Sequence, residues 1–373
     1  MTDALEFFHE KKPWSRYKDG ILDYYLEPYL AKVAKLRRPI LIVDCFAGPG
    51  QFDDGEPGSP LIISKRLRSV QERGAQVLGF YIEKDPVLYE RLDQNTRDLN
   101  IPMRVRQGDF RQYINEISEL AHDCTVFIYL DPIKPSDLLF ADMECIYCQL
   151  DRGRSVEALI NFMSTGFWRA VCGLADRILV DNTLQHKHPL VCDWDAIAGG
   201  TYWQETVFSG QMSDPDRIEL LAQGYAERLR QWFKWVIRYP VRDNYDDKFP
   251  KYHLTFGSRH SDAIELMNRA MVNARRTFVR ACFIDGFLFP NQPAKEIIDP
   301  HEAERAVVRT SQTLGKAKWK DLRVRATIEN PCTYTDSEFN SAIKRAIQKG
   351  DLVSDSSGRR IDENAWIWPP KRE

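Results

Sequence analysis

Three features predict a doubly wound, Rossmann-like α/β sheet with a smaller domain of another kind behind it. Short apolar runs alternate with amphipathic stretches over residues 39–162. A glycine-rich turn follows the first apolar run directly. Past residue 315 the pattern changes to two helices and a pair of short apolar runs. A chain of 373 residues is long enough for one large domain and one small one.

Ahead of the sheet, residues 14–36 carry Ile21, Leu22, Tyr25, Leu26, Tyr29, Leu30 and Val33 at helical spacing, so this is an amphipathic helix, bent at Pro28. Residues 39–46 are almost continuously apolar, as expected of a strand covered on both faces. The glycine-rich loop runs to Gly58, and Ser59-Pro60 then supplies an N-cap and a first-turn proline. Further strands are expected at 76–82, 103–107, 125–130 and 156–162, with helices at 86–99 and 111–121 between them. The stretch 164–209 mixes tryptophan, glycine and histidine without a clear period and reads as an insertion at the carboxyl edge of the sheet. A helix over 214–233 then precedes an antiparallel pair, 235–241 and 252–256, joined by a polar connection, with another helix over 262–274. The first domain is thereby set at 1–288, and 289–314 forms a linker and helix.

The tail, 315–373, holds a helix over 319–329 and a second opened by the capping box Thr335-Asp336-Ser337-Glu338 and closed at Gly350. A turn containing Arg359 and Arg360 separates two short apolar runs, which gives a winged-helix pattern. From Gly315 onward 12 Lys/Arg stand against 9 Asp/Glu, a local +3 in a chain of net charge -2. Lys344, Arg345, Lys349, Arg359 and Arg360 are the candidate phosphate contacts of this tail.

No apolar run approaches the roughly 20 residues that cross a bilayer. Met1 to Trp14 lacks a signal-peptide core, and the eight cysteines are scattered as reduced thiols are. A soluble cytoplasmic protein without a membrane partner is expected.

In open parallel sheets, ligands bind beyond the carboxyl ends of the strands. The polar residues expected there are Asp44 with Phe46, Gly48 and Gly50, then Glu83, Asp109 and Asp131. Glycines let the backbone approach a ligand closely, and the helix start at Ser59 offers N–H groups to a carboxylate. Glu83 is placed for ribose hydroxyls, Asp109 for an adenine amine and Asp44 for an ammonium. Asp53 stands where a dinucleotide fingerprint needs glycine or alanine, and a carboxylate there repels a pyrophosphate. S-adenosylmethionine, with an amino group and no phosphate, fits these residues better.

Asp44-Cys45-Phe46-Ala47-Gly48-Pro49-Gly50 followed by Gly55-Glu56-Pro57-Gly58-Ser59-Pro60 resembles the signature of the three-Cys-motif partner proteins, a family related to class I S-adenosylmethionine-dependent methyltransferases. Lys18 with Leu22-Tyr25-Leu26, Asp131-Pro132, and Tyr252 to Phe256 with Met267 and Met271 extend the likeness over 13–275. The resemblance implies a methyltransferase-like fold, that cofactor and a protein partner carrying the three cysteines. The family tends to Asp-Pro-Phe-Gly after the fourth strand, whereas Ile133 and Lys134 stand here. Asp131 and Pro132 are also similar to the motif by which base-amine methyltransferases hold their acceptor, although Ile133 offers no stacking ring. An Asp-Pro pair equally serves to close a turn.

The expected function is methyl transfer to a nucleic-acid base amine. A non-catalytic binding module with a protein or nucleic-acid partner is the alternative, and a nuclease using Asp131, Asp109 and Glu83 with Mg²⁺ is a third. Cys145 and Cys148 lack a second ligand pair, and His186, His188 and Cys192 fit no standard zinc spacing, so no metal is expected. Trp14, Tyr17, Phe167 and Trp168 are candidates to line a substrate opening.

Overall fold

The computed structural model describes residues 6–147, 155–180, 183–208, 212–243, 247–284, 299–356, 360 and 362–370. The chain divides into two compact units, 1–259 and 260–373.

Unit 1 is built on a seven-stranded sheet. Its strands are β1 (Ile40–Asp44), β2 (Val77–Glu83), β3 (Met103–Gln107), β4 (Thr125–Leu130), β5 (Val156–Phe162), β6 (Trp235–Val241) and β7 (Tyr252–Ser258). Their order is β3-β2-β1-β4-β5-β7-β6. The first five run parallel, while β7 is antiparallel to both β5 and β6. The chain reverses direction on either side of β1, which places the switch point between β1 and β4. The fold is therefore a mixed α/β, Rossmann-like architecture on a largely parallel sheet.

Helices cover both faces. On one side, Leu41, Val43, Phe80, Ile82, Val126, Ile128 and Ile160 form a core with Ile117, Met143, Phe167, Val171, Leu221 and Tyr225 from the later helices. On the other lie α1 (Pro13–Val33) and α2 (Ser59–Gln71). There Tyr25 packs on Phe127 and Phe256 at ring distances of 5.6 and 5.2 Å, and Ser64 bonds Tyr81 at 2.8 Å. The helix from 59 begins on Ser59 with Gly58 as its N-cap, one residue earlier than the sequence suggested. This leaves the Ser59 hydroxyl free of a capping role.

The stretch 164–209 contains α6 (Ser164–Gly173), a two-residue ribbon at Leu179–Val180 and Thr183–Leu184, α7 (Pro189–Ala198) and α8 (Tyr202–Phe208); α3 (Pro86–Thr96), α4 (Ile114–Ala121) and α5 (Phe140–Tyr147) precede it and α9 (Asp214–Leu229) follows. Its helices are held by aromatic contacts. Phe167 meets Trp194 at 4.7 Å and Trp203 at 5.6 Å, and the Trp203 indole N–H donates to Asp195. Phe167 is fully buried in this cluster and lines no opening.

Unit 2 holds α10 (Ser261–Ile284), α11 (Pro300–Leu314), α12 (Trp319–Glu329) and α13 (Asp336–Lys349) with a small sheet of β8 (Ala317–Lys318), β9 (Val353–Ser354) and β10 (Trp366–Trp368), ordered β8-β10-β9. The unit begins before residue 288 because α10 packs forward in the chain. Buried Glu265 pairs with Arg323 of α12, Asn268 bonds the backbone at Tyr334 and Cys332 (2.7 Å each), and Arg269 forks onto Asp336.

One feature of β5 links the faces to the site. The strand is apolar except at Glu157 and Asn161, which are four residues apart and on the same side. On α1, Lys18 and Tyr25 are seven apart and also share a face. The spans match, about 13 Å on the strand and about 10.5 Å on the helix. Tyr25 donates to Glu157, while Lys18 and Asn161 meet at Asp131.

Burial raises the Glu157 carboxyl to about 7, with the Tyr25 and Ser258 hydroxyls acting the other way. Its folded value exceeds its unfolded one, so between about pH 4.5 and 7 the folded chain holds a proton that the unfolded chain has lost. Stability contributed by Glu157 is thus present below this window and lost as pH rises through it. Glu157→Gln should flatten the fall in unfolding free energy across pH 5–8, by up to about 3 kcal/mol in total, as read by urea denaturation at successive pH values.

Candidate active site

The carboxyl edge of the sheet gathers polar groups from the five parallel strands and α1. Asp44 ends β1 and is fully buried. Its Oδ1 accepts from the Phe46 amide at 3.2 Å, while its Oδ2 has no hydrogen-bond partner. Burial lifts this carboxyl to about 7 against the pull of the Ser59 hydroxyl and the Phe46 amide.

The loop that follows depends on glycine. Gly48 and Gly50 lie at φ +63° and +78°, where other residues are strained. Phe8 lies over Gly48, so that a Cβ there would sit 3.0 Å from its ring. The loop is closed by Gly58 N–H donating to Gly50 (2.7 Å) and by the Asn95 amide donating to Pro49 (2.8 Å). The preceding segment ties across it, with the Asp53 N–H donating to the Phe8 carbonyl at 2.9 Å and the Lys11 N–H to Asp54 at 2.9 Å. Phe46 packs its ring 5.4 Å from Phe110.

Glu83 ends β2 and joins the loop from the other side. Its carboxylate accepts from the Gly48 amide at 2.8 Å and the Asp85 amide at 2.7 Å. Burial raises its pKa, and these amides limit the rise. Asp109 is differently employed. It caps the turn at Phe110–Tyr113 and is held by Arg111 at 2.9 Å and Lys84 at 3.2 Å. Burial pushes its carboxyl up, but the Arg111 amide and the two cations prevail and hold it below its ordinary value.

Asp131 lies just past β4. Its Oδ2 takes the Lys18 ammonium and its Oδ1 the Asn161 amide at 2.8 Å. Burial would lower the Lys18 pKa, but Asp131, Asp19 and Asp44 outweigh it, and the amine stays protonated. Asp19 in turn pairs with buried Lys11 at 2.7 Å. Four buried polar atoms around these carboxylates have no hydrogen-bond partner: Asp44 Oδ2, Asn161 Oδ1, Tyr129 Oη and Tyr252 Oη. Buried polar atoms are nearly always satisfied, and these four lie near the same group of carboxylates. Beside them, Pro132, Asn161, Phe162, Met163, Ile197 and Tyr225 line a small cavity of about 10 Å³, room for a single water. Ile133 is 56% exposed and lies outside the cavity lining.

Lys18 and Asn161 complete the site from elements whose pattern is otherwise apolar. A lysine on the buried face of an amphipathic helix and an amide inside an apolar strand are the signals that mark them. A second polar chain runs from Ser164 through His253 to Glu219, at 2.7 and 3.2 Å. It has the residue types of an acyl-transfer triad. Ser164 and His253 are fully buried, however, so the chain pins α6 to β7 and α9 instead of facing a substrate.

The remaining candidates lie apart from this edge. His186 bonds Gln204 at 2.6 Å, and His188 caps α7. Cys148 and the Cys145 side chain lie outside the described residues. Among the described residues no three metal-ligating side chains cluster. In unit 2, Arg345 and Lys349 both pair with Glu304, at 3.3 and 2.5 Å. One carboxylate thus engages both cations within the unit. Lys344 is half-buried and Arg360 exposed, while Arg359 lies outside the described residues.

No protein-family model matches the chain, and no curated protein matches it. The likeness to three-Cys-motif partner proteins therefore rests on the sequence signature alone. Solved structures do resemble the chain. Protein LPL1258 from Legionella pneumophila is 10% identical over 73% of this chain and 94% of that one, with a TM-score of 0.44. The O-methyltransferase TomG from Streptomyces achromogenes, solved in complex with SAM, is 12% identical over 65% and 79%, with a TM-score of 0.32. Spermidine synthase from Thermotoga maritima is 13% identical over 72% and 68%, with a TM-score of 0.32.

The Lys18–Asp131 pair is largely withdrawn from solvent, with side chains 11% and 17% exposed, and breaking such a pair from one side leaves a poorly compensated charge. Lys18→Met should destabilise the protein by about 3–5 kcal/mol. Lys18→Met with Asp131→Leu should cost clearly less than the two single changes added together, as a denaturation cycle would read.

Proposed function

We propose that unit 1 transfers a methyl group from S-adenosylmethionine to an amine of a nucleic-acid base. The observation that carries this reading is the orphaned Asp44 Oδ2, a buried acceptor beside a glycine loop at the switch point of the sheet. The cofactor's ammonium would satisfy it. Glu83 would accept from the ribose hydroxyls with the lone pairs left by Gly48 and Asp85, and the start of α2 would face the methionine carboxylate. Asp109, already engaged by Arg111 and Lys84, would contribute at the adenine end through its remaining acceptor capacity.

When bound, the cofactor supplies an electrophilic methyl group. The chain's task is to hold the acceptor in line with it, which is where most of the rate arises in such a reaction. Asp131 is pinned by Lys18 and Asn161, and each carboxylate oxygen retains a lone pair for an acceptor N–H. The Pro132 carbonyl is the neighbouring acceptor. Asp131 and the Pro132 carbonyl would orient the amine while its nitrogen takes the methyl group, and the methylated nitrogen then sheds its proton to solvent.

Unit 2 is read as winged-helix-like: helices α11 to α13 accompany a three-stranded sheet whose first strand, β8, lies between α11 and α12 and whose last two strands follow α13. The three-Cys-motif resemblance adds a protein partner to this reading.

Titration calorimetry of the purified chain with S-adenosylmethionine should show binding that Asp44→Asn weakens at least ten-fold. The Asp44 carboxyl sits near 7 in the free protein, and a cation beside it favours ionisation. Binding near pH 6.5 should therefore release a proton, and affinity should rise from pH 6 to 8. No binding at any pH would sink the reading. With a radiolabelled methyl donor and pools of DNA, RNA and protein, Asp131→Ala should lower transfer at least 100-fold in protein saturated with the cofactor.

A further inference from the structure

The small sheet of unit 2 has two unlike faces. Ile367 of β10 points inward and is fully buried, and its partners Ala317 on β8 and Ser354 on β9 are half-buried on the same side of the sheet. Side chains alternate along a strand, so Trp366 and Trp368 point the other way. Lys318 stands opposite Trp366 in the register, and Lys316, two residues earlier, is on the same face. Trp366 is 41% exposed, a high value for the largest apolar side chain. The Lys316 ammonium lies 5.5 Å from the Trp366 ring and 5.0 Å from the Trp368 ring.

Charge distinguishes this face from the rest of the unit. Arg345 and Lys349 share Glu304, while Arg323 pairs with Glu265 and Glu363, Arg325 with Glu329, and Lys320 with Asp262. Among the described residues from Gly315 onward, Lys316, Lys318, Lys344 and Arg360 have no ion-pair partner. Two of the four stand on the tryptophan face, and both are exposed. Asp355, the nearby acid, accepts from the Trp366 amide at 2.9 Å.

We propose that this face binds single-stranded nucleic acid, with bases stacked on Trp366 and Trp368 and phosphates met by Lys316 and Lys318. Two side chains on alternate residues stand about 6.7 Å apart, enough for successive bases to be splayed onto separate rings. Aromatic platforms beside basic residues bind single strands without regard to sequence, because every base has a π-face. A base stacked on indole is held more strongly than an exposed ammonium, so Lys316 leaves the rings for a phosphate. A duplex keeps its base faces stacked inside and gains nothing from the rings. The inference does not depend on methyl transfer by unit 1.

The test is fluorescence anisotropy of the full chain with labelled oligothymidylate, oligouridylate and a mixed-sequence duplex, without methyl donor. Binding of one or both single strands over the duplex is expected, and the two labelled strands show whether DNA or RNA is preferred. Trp366→Ala and Trp368→Ala should each weaken it about ten-fold, whereas Trp366→Phe, which keeps a ring, should retain most of the affinity. Lys316→Ala with Lys318→Ala should reduce the slope of log affinity against log salt by about 1.4. Those lysines are exposed, so this variant is read on a folded protein, checked by circular dichroism. Failure to bind either single strand, equal affinity for the duplex, or unchanged binding and slope in the variants would overturn the proposal. Since no cofactor is present, the result is independent of whether the transferase assay succeeds.

Discussion

The buried Lys18 ammonium is the point on which unit 1 turns. Three carboxylates act on it, from Asp131 after β4, Asp19 on α1 and Asp44 at the end of β1. Without a cation among them they would repel one another in a low-dielectric setting, and without them the ammonium would carry an unsupported desolvation cost. The arrangement joins the first helix, the glycine loop and the fourth strand in one electrostatic unit. Helix position and loop position are therefore not separable features. Lys11, itself buried, extends the same logic through Asp19 to the segment that ties across the loop.

The chemistry follows from that neutralisation. A free carboxylate after the fourth strand would be a candidate base, but one paired with a protonated lysine and an amide is better suited to orienting a donor. The site divides into two parts with opposite needs. Asp44 is costly to ionise until a cation arrives, so it favours a ligand that brings one. Asp131 is already compensated and accepts neutral N–H groups without further desolvation of charge. A cationic donor molecule and a neutral amine acceptor satisfy both.

The central parallel strands were legible because burial on both faces leaves continuous apolar runs, and the observed bounds of β4 and β5 coincide with those read from the pattern, as do those of the edge strand β3 and the antiparallel β6. The stretch 164–209 was not, since its helices are short and held by tryptophan contacts, and apolar periodicity needs longer segments to emerge. Asp44, Glu83 and Asp131 were found by their position at strand ends. Asn161 was missed because it sits inside an apolar run, where a single polar residue reads as noise. Lys18 entered through the family likeness alone, and its role needs the register of α1 against β4 and β5, which no local pattern contains. The start of unit 2 was placed too late for a related reason. The polar stretch near 289 marks a break in the pattern, whereas α10 is held by long-range pairs from Glu265, Asn268 and Arg269.

Basic residues in unit 2 show why charge counted along a sequence misleads. Arg345 and Lys349 are four apart on α13 and so share one side, but that side also borders the core stripe of Ala342 and Ala346. It faces α11, where Glu304 is buried and must be neutralised. A buried acid has first claim on nearby cations, because its desolvation cost exceeds that of any exposed pair. The net surplus of the tail therefore moves to positions with no acid to serve. Lys316 and Lys318 are such positions, on a strand too short to pack both faces. The same strand pair forces Trp366 and Trp368 outward once Ile367 has filled the core. Exposed aromatics and unspent charge thus share a face for one reason, the alternation of a two-sided sheet that has only one side to bury.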